Sequence, residues 1–154
     1  MNIEIINFPE TNIAVIEHHG SPALEHESIK KLIDWRIENK LPPSDIHRSY
    51  GIHYNDPGKV TPADYRVDLC VSVPQAIPEN SSGVINKVIP ALRCAKVRHC
   101  GSRENVTAAH YLYAQWLPNS EEQLAEFPLF FHYVNVGPEV QEQDMITDVY
   151  LPIL

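Results

Sequence analysis

The stretch Ala14-Val15-Ile16-Glu17-His18-His19-Gly20-Ser21 returns later in the chain as Ala95-Lys96-Val97-Arg98-His99-Cys100-Gly101-Ser102. The two stretches share alanine, histidine, glycine and serine in one order, at an offset of 81 residues. Further residues recur at this offset or one residue less: Trp35 and Trp116, Asn55 and Asn135, Asp68 and Asp148. We therefore expect one domain over residues 1–154, built from repeats at about residues 1–76 and 83–154.

Within each repeat the sequence predicts two strands, a helix and two further strands. The apolar, β-branched runs of the first repeat are Asn2–Phe8, Asn12–His19, Ser49–Asn55 and Tyr65–Val73. Those of the second repeat are Gly83–Ile89, Leu92–Cys100, Leu129–Val136 and Met145–Ile153. A helix follows Ser21-Pro22 and another follows Ser102, because serine caps a helix and proline fits its first turn. The pattern predicts an α+β fold with two pseudo-symmetric halves, each an antiparallel sheet with a helix on one face.

Two packing expectations accompany this fold. The two strand-like runs on either side of Pro90-Ala91 are expected to pair with each other as a hairpin. The apolar residues of the first helix fall at helical spacing, so one stripe is expected to face a core. This stripe consists of Leu24, Ile29, Leu32, Ile33 and Ile37.

Composition excludes several classes of partner. The 154 residues include 20 Asp+Glu and 12 Lys+Arg, a formal net charge of −8. Such a chain repels the phosphates that supply most of the affinity for nucleic acid, so direct nucleic-acid binding is not expected. No apolar stretch approaches the roughly 18 residues that cross a bilayer, and no secretory signal is visible, so no membrane association is expected. Three cysteines without framework spacing indicate reduced thiols and a cytoplasmic protein.

Residues with catalytic or metal-binding potential lack the spacing that such sites need. The sequence contains no nucleophile elbow, phosphate loop, dinucleotide fingerprint or paired-cysteine motif. His18-His19 and His99-Cys100 occupy matching positions, yet neighbouring strand residues point to opposite faces, so only one of each pair would reach a given ion. No further ligands stand at a recognised spacing, and neither a metal nor a cofactor is expected.

Several blocks of the sequence resemble the GyrI-like small-molecule-binding domain family, along essentially the whole chain. The blocks are Val15–Pro22, Gly51–Pro57, Thr61–Asp68, Val73-Pro74, Ile77–Ile85 and Thr147–Ile153. The family includes the bacterial DNA gyrase inhibitory protein and the effector-binding domains of AraC-type and MerR-type regulators. The resemblance implies duplicated strand-helix-strand-strand units with a ligand groove between the halves. Both repeats use up the chain, so a stand-alone version without a DNA-binding helix-turn-helix is expected.

Asp148 is the main candidate for ligand binding. Family members that bind cationic drugs usually carry Glu at this position, and the shorter Asp side chain would sit farther from a ligand. Alternation along the last strand puts Asp148 and Tyr150 on one face, opposite the apolar row. A carboxylate beside aromatic rings can balance a ligand cation. The strand pattern alone favours a polar row facing water, and the resemblance shifts the balance toward a ligand site.

Four weaker candidates accompany Asp148 and Tyr150 at the groove. Asp68 is the repeat mate of Asp148. Trp35 lies at the flank of its apolar stripe and borders the groove in this prediction, whereas its mate on the second helix is expected in the core. Tyr54 and His132 come from matched strand segments, and which face of strand 129–136 lines the groove stays open.

Three functions are consistent with this sequence. The first is a cytoplasmic protein that holds a small amphipathic or cationic molecule between its halves. The second is inhibition of DNA gyrase by protein contact, in which an acidic surface meets a basic one. The third is hydrolysis of reactive small molecules, as the resemblance implies for some members, with Asp148 as general base and its pKa raised by burial. The sequence offers no activated partner for Asp148, so binding without catalysis is the preferred prediction.

Overall fold

A computed structural model describes residues 1–154, apart from the side chain of Asn105. The strands are β1 (Ile3–Phe8), β2 (Thr11–His19), β3 (Ser49–His53), β4 (Arg66–Ser72), β5 (Ile85–Ile89), β6 (Leu92–Cys100), β7 (Phe130–Tyr133) and β8 (Ile146–Ile153). The helices are α1 (Glu25–Glu38), α2 (Ala108–Tyr111) and α3 (Leu117–Asn119), and a π-helical stretch (Leu112–Trp116) joins the last two.

Strands β1 and β2 continue in one direction as a single bent strand, and β5 and β6 do the same. Phe8 of β1 faces Leu92 of β6, and Thr11 of β2 faces Ile89 of β5, so one antiparallel register runs through both pairs. The bend falls at Pro90-Ala91 on one strand and at Pro9-Glu10 on the other. A proline has no N–H to donate to the hydrogen-bond ladder of a sheet, so the ladder is interrupted there. The hairpin expected between β5 and β6 is therefore wrong, because the chain bends at this proline without reversing.

The eight strands form one antiparallel sheet that curls on itself. Their order is β1-β6-β8-β7-β3-β4-β2-β5. Because β1 runs into β2 and β5 into β6, the two ends of this order are joined through the bent strands. The α+β fold of duplicated strand-helix-strand-strand units predicted from the sequence is confirmed. The two sheets expected for the halves are joined into one, through the pairing of β3 with β7.

The two faces of the curled sheet bury different sets of residues. One face encloses an aromatic and aliphatic core to which all eight strands contribute: Phe8, Ile13, Val15, Tyr50, Ile52, Cys70, Ile89, Cys94, Phe130 and Tyr150. The other face packs on the helices. Leu32 and Trp35 of α1 join β2 and β4 there, and Leu112 and Trp116 of the second helical segment join β6 and β8.

The repeated His-x-Gly-Ser sequence builds the same turn in both halves. The ring Nε2 of His18 lies 2.9 Å from the carbonyl oxygen of Ser21, and that of His99 lies 2.9 Å from the carbonyl oxygen of Ser102. The glycine between them has a φ of 126° in the first half and 116° in the second, a conformation that other residues rarely adopt. The histidines that invited a metal interpretation therefore hold turns.

The two helical segments differ in regularity. α1 is a regular helix of 14 residues, preceded by a 3₁₀ turn that Ser21 caps. In the second half Ser102 caps a 3₁₀ turn only, and the helix begins later, at Ala108. Its π-helical stretch lies just before Pro118, which lacks the N–H needed for a regular helical bond. Within the described residues no helix is long and apolar enough to cross a membrane.

Candidate ligand cavity

An apolar cavity of about 880 Å³ lies between α1 and the sheet. Its outer wall is a row of isoleucines on α1, with exposed fractions of 39% for Ile29, 48% for Ile33 and 73% for Ile37. The prediction that the whole stripe faces a core is wrong for these three residues and for Leu24, which is also exposed. Of the apolar residues on α1, Leu32 and Trp35 are the buried ones. The isoleucines instead offer open apolar surface to the cavity.

The remaining walls of the cavity come from both halves of the chain. The first half adds the segment 40–43 after α1 and the strand residues Ser49, Tyr50, Leu69 and Cys70. The second half adds Arg103, Tyr133 and the segment 136–138. The cavity therefore lies where the two halves meet, on the helix side of the sheet.

The strand floor of the cavity is shaped by the absence of a side chain at Gly51. A Cβ at this position would meet the Oη atom of Tyr133 at 2.8 Å and the Nε2 atom of His53 at 3.4 Å. The ring of His53 packs 4.5 Å from that of Phe131, and its Nε2 atom is buried without a hydrogen-bond partner among the described residues. Burial lowers the pKa of His53 from 6.5 to about 4, so the ring is neutral near pH 7.

Charged side chains line the apolar wall at several points. At the start of α1 the Oε1 atom of Glu25 accepts a hydrogen bond of 2.6 Å from the hydroxyl of Tyr65. Burial raises the pKa of Tyr65, and the neighbouring Glu25 carboxylate raises it further, so this hydroxyl keeps its proton. Near the end of α1, Arg36 is 9% exposed, and Arg103 approaches from the second half.

The site residues predicted around Asp148 lie on the other face of the sheet. Asp148 is 2% exposed and receives hydrogen bonds of 2.8 and 3.1 Å from Arg98, with Lys96 at 3.6 Å. His132 is its cross-strand neighbour. Tyr150 stacks on Phe130 with ring centroids 5.0 Å apart. The expectation that Asp148 and Tyr150 point away from the apolar row is confirmed, because Val149 and Leu151 pack on the helix side instead.

The electrostatics of Asp148 oppose the role of general base. Burial raises the pKa of this carboxyl, but the hydrogen bonds from Arg98 and the charges of Lys96 and Arg98 outweigh burial, so its pKa lies below the ordinary value. A general base near neutral pH needs a pKa shifted upward. The hydrolase hypothesis required a raised pKa for Asp148, and this expectation is wrong.

The other predicted residues form a second cluster and an isolated position. Asp68 is 1% exposed and accepts hydrogen bonds of 2.6 Å from Tyr54 and 2.7 Å from Lys87. Trp35 is buried between α1 and the sheet. None of the six predicted residues lines the large cavity. Their ligand-binding role stays a prediction, and the geometry favours a different set of residues.

The two halves differ in sequence at the positions that build the cavity. At the repeat offset of 81 residues, Ile29, Ile33 and Ile37 correspond to His110, Ala114 and Pro118. Residues matched in both halves, such as His18 and His99, hold turns. The sequence signal for the cavity is an apolar row on one helix that is missing from the other. Residues needed only for the fold would be expected in both halves.

Comparison with known proteins places these observations in a family. The family described as "GyrI-like small molecule binding domain" matches residues 1–154. A "Probable transcriptional regulator YgiV" of Escherichia coli (strain K12) is 36% identical, over 99% of this chain and 96% of that protein. A "DNA gyrase inhibitor" of Erwinia billingiae is 26% identical, over 99% of this chain and 97% of its own length.

A solved structure shares the fold at low sequence identity. The crystal structure of the EcmrR C-terminal domain superposes with a TM-score of 0.79 at 15% identity, covering 99% of this chain and 97% of that one. At this identity the similarity concerns the fold alone, and it matches the curled antiparallel sheet with its helices.

Proposed function

The chain belongs to the GyrI-like small-molecule-binding domain family, and on that premise we propose that it binds an amphipathic small molecule in the cavity beside α1. The exposed isoleucine row carries this proposal. Contact between water and a concave apolar wall is unfavourable. Covering that wall with a ligand lowers the free energy by about 25 cal/mol for each Å² of apolar surface removed from water. A cavity of about 880 Å³ falls within the range of small-molecule sites, roughly 300–1,000 Å³.

The proposal is tested with a neutral fluorescent probe, N-phenyl-1-naphthylamine, whose emission rises in an apolar site. We expect saturable binding by the parent protein. Ile33→Gln should weaken this binding by roughly tenfold, because an amide replaces apolar surface worth about 1–2 kcal/mol at the wall. Ile85→Gln is the matched control, since Ile85 is 39% exposed on β5 and does not line the cavity. Equal binding by both variants would refute the cavity as the site.

The prediction of a cationic ligand held by Asp148 is tested separately. Its anchor was Asp148, whose charge is already matched by Arg98 and Lys96. Titration of the parent protein and of Asp148→Asn with tetraphenylphosphonium measures the role of that carboxylate. A loss of affinity of tenfold or more with the fold intact would restore Asp148 as a ligand contact. We expect no change beyond twofold.

A second proposal concerns a protein partner. The relative from Erwinia billingiae carries the name "DNA gyrase inhibitor", and we propose that this chain also inhibits gyrase by direct contact. A supercoiling assay with added protein tests this, and no effect at high molar excess would refute it. Action in the cytoplasm belongs to the same proposal, and the free thiols of Cys70, Cys94 and Cys100 suit a reducing compartment.

A further inference from the structure

The charged side chains that line the cavity are three cations and one carboxylate. The cations are Arg36, Lys40 and Arg103, and the carboxylate is Glu25. This balance is the reverse of that of the whole chain, whose formal net charge is −8. The charged side chains that line the cavity therefore carry a net charge opposite in sign to that of the whole chain.

Arg36 is bound by neutral groups alone. Its guanidinium donates to the carbonyl of Leu41 at 3.0 Å, the hydroxyl of Ser49 at 2.8 Å and the carbonyl of His47 at 3.2 Å. These three bonds fix the side chain against the cavity and leave its positive charge without a counterion among the described side chains. Burial lowers the pKa of Arg36, although an arginine stays charged at neutral pH.

Arg103 repeats this arrangement on the wall contributed by the second half. It donates to the hydroxyl of Thr147 at 2.9 Å and to the carbonyls of Asn135 and Ile146, both at 2.8 Å. Its guanidinium lies 5.2 Å from the ring centre of Tyr133. Carbonyls and hydroxyls hold the geometry of a guanidinium without cancelling its charge, so an anion would gain attraction here as well.

The single carboxylate lies at the opposite end of α1 from two of the cations. Glu25 begins the helix and already accepts the hydrogen bond of Tyr65, whereas Arg36 lies in its last turn and Lys40 follows two residues after its end. At 1.5 Å of rise per residue, Glu25 and Arg36 are separated by roughly 16 Å along the helix. Of the charged side chains that line the cavity, the two near the end of α1 are therefore both cations.

We infer that the cavity takes an organic anion with an apolar body, whose charged end lies beside Arg36 and Lys40 and whose body covers the isoleucine row. This inference rests on the proposed function, since it names the ligand class of the same cavity. The apolar wall supplies affinity through burial, and the unmatched cations set the sign of the preferred charge.

A pair of ions of equal shape and opposite charge tests the inference. The parent protein is titrated by calorimetry at low ionic strength with tetraphenylborate and with tetraphenylphosphonium. We expect tetraphenylborate to bind at least tenfold more tightly, and added salt to narrow the difference because it screens charge. Equal affinity, or tighter binding of tetraphenylphosphonium, would overturn the inference.

Two charge variants assign the preference to the cavity. Lys40→Glu should weaken tetraphenylborate binding by roughly three- to tenfold and strengthen tetraphenylphosphonium binding, because the charge of a side chain that lines the cavity changes sign. Lys31→Glu is the matched control, since it makes the same change on an exposed part of α1 outside the cavity. Glu25→Gln should strengthen tetraphenylborate binding. Equal effects of Lys40→Glu and Lys31→Glu would overturn the inference.

Failure of this inference is distinguishable from failure of the proposed function. If the neutral probe binds and responds to Ile33→Gln while tetraphenylborate shows no advantage, the cavity is a binding site and only its charge preference is refuted. If neither the neutral probe nor either ion binds, both the cavity site and its preference are refuted.

Discussion

His53 is a half-buried residue with a fully buried Nε2 atom, and its protonation state depends on the fold. Its ring packs on Phe131, and its Nε2 atom has no partner among the described residues. Burial disfavours the positively charged, protonated ring and lowers the pKa of His53 from 6.5 to about 4. In the unfolded chain the pKa returns to its ordinary value. Between these two values the unfolded chain binds more protons than the folded one, so stability falls as the pH falls.

We expect His53 to cost about 2 kcal/mol of stability at pH 5 relative to pH 7.5, from a shift of pKa worth about 1.4 kcal/mol per unit. Urea unfolding at the two pH values measures this cost. His53→Phe should reduce the loss of unfolding free energy between pH 7.5 and pH 5 by the contribution of His53. A similar contribution from His132 should remain, because burial also lowers the pKa of His132 to about 4. His26→Gln, on the exposed side of α1, is the control. Equal losses in parent and His53→Phe would contradict the assignment.

At the scale of elements, the contact between β3 and β7 joins the two halves, and one residue in this strand pair has no side chain. Gly51 faces Phe131 in this pairing. Because Gly51 has no side chain, the ring of Tyr133 can lie over the strand and form part of the cavity floor. One missing side chain therefore serves both the junction of the halves and the shape of the cavity.

Gly51→Ala should destabilise the fold by about 1–3 kcal/mol, the usual cost of overpacking. The added Cβ would meet the Oη atom of Tyr133 at 2.8 Å and the Cε2 atom at 3.2 Å. Tyr133→Phe in the same chain removes the closer contact, so the double variant should recover part of the loss. Urea unfolding of all four proteins gives the coupling between the two positions. Additive effects would show that the hydroxyl is not the obstacle.

Strand and helix positions could be predicted from the sequence, because apolar periodicity and capping residues act locally. The direction of the chain at Pro90 could not, since a proline between two strands suits a reversal and a bend equally well. The role of Ile33 could not be settled from helical periodicity alone either. A row of isoleucines at helical spacing looks the same whether another element covers it or a cavity does, and only the surrounding walls decide.

Asp148 shows the corresponding limit at the candidate site. Alternation correctly separated its face from the helix side, but both faces of this curled sheet bury residues. The partners that neutralise Asp148 come from β6, which is distant in sequence, and strand periodicity does not reveal them. The repeat mate Asp68 keeps its position but is paired with Tyr54 and Lys87, so even the symmetry of the chain does not predict the partners.

At the scale of the whole molecule, each half supplies a strand to the other. β1 of the first half pairs with β6 of the second, and β5 of the second pairs with β2 of the first. A separated half would lose both this exchanged pair and the contact between β3 and β7. Each half would then expose long unpaired strand edges.

Cutting the chain between Ser81 and Ser82, in an exposed segment, tests this dependence. We expect neither fragment to show a cooperative unfolding transition alone. Mixing the two fragments should restore the far-ultraviolet dichroism of the sheet, the burial of Trp35 and the binding of N-phenyl-1-naphthylamine. A fragment that unfolds cooperatively by itself would contradict the expectation and show that a repeat is an independent folding unit.

The position of β8 has a consequence for how the protein is made. This strand is the last of the chain, yet it lies in the middle of the sheet between β6 and β7. β8 is synthesised after all the other strands, so the sheet can close only once these residues have left the ribosome. A product truncated before β8 would leave β6 and β7 each with an open strand edge. Such edges pair with other chains, and that product would be a client of chaperones and proteases.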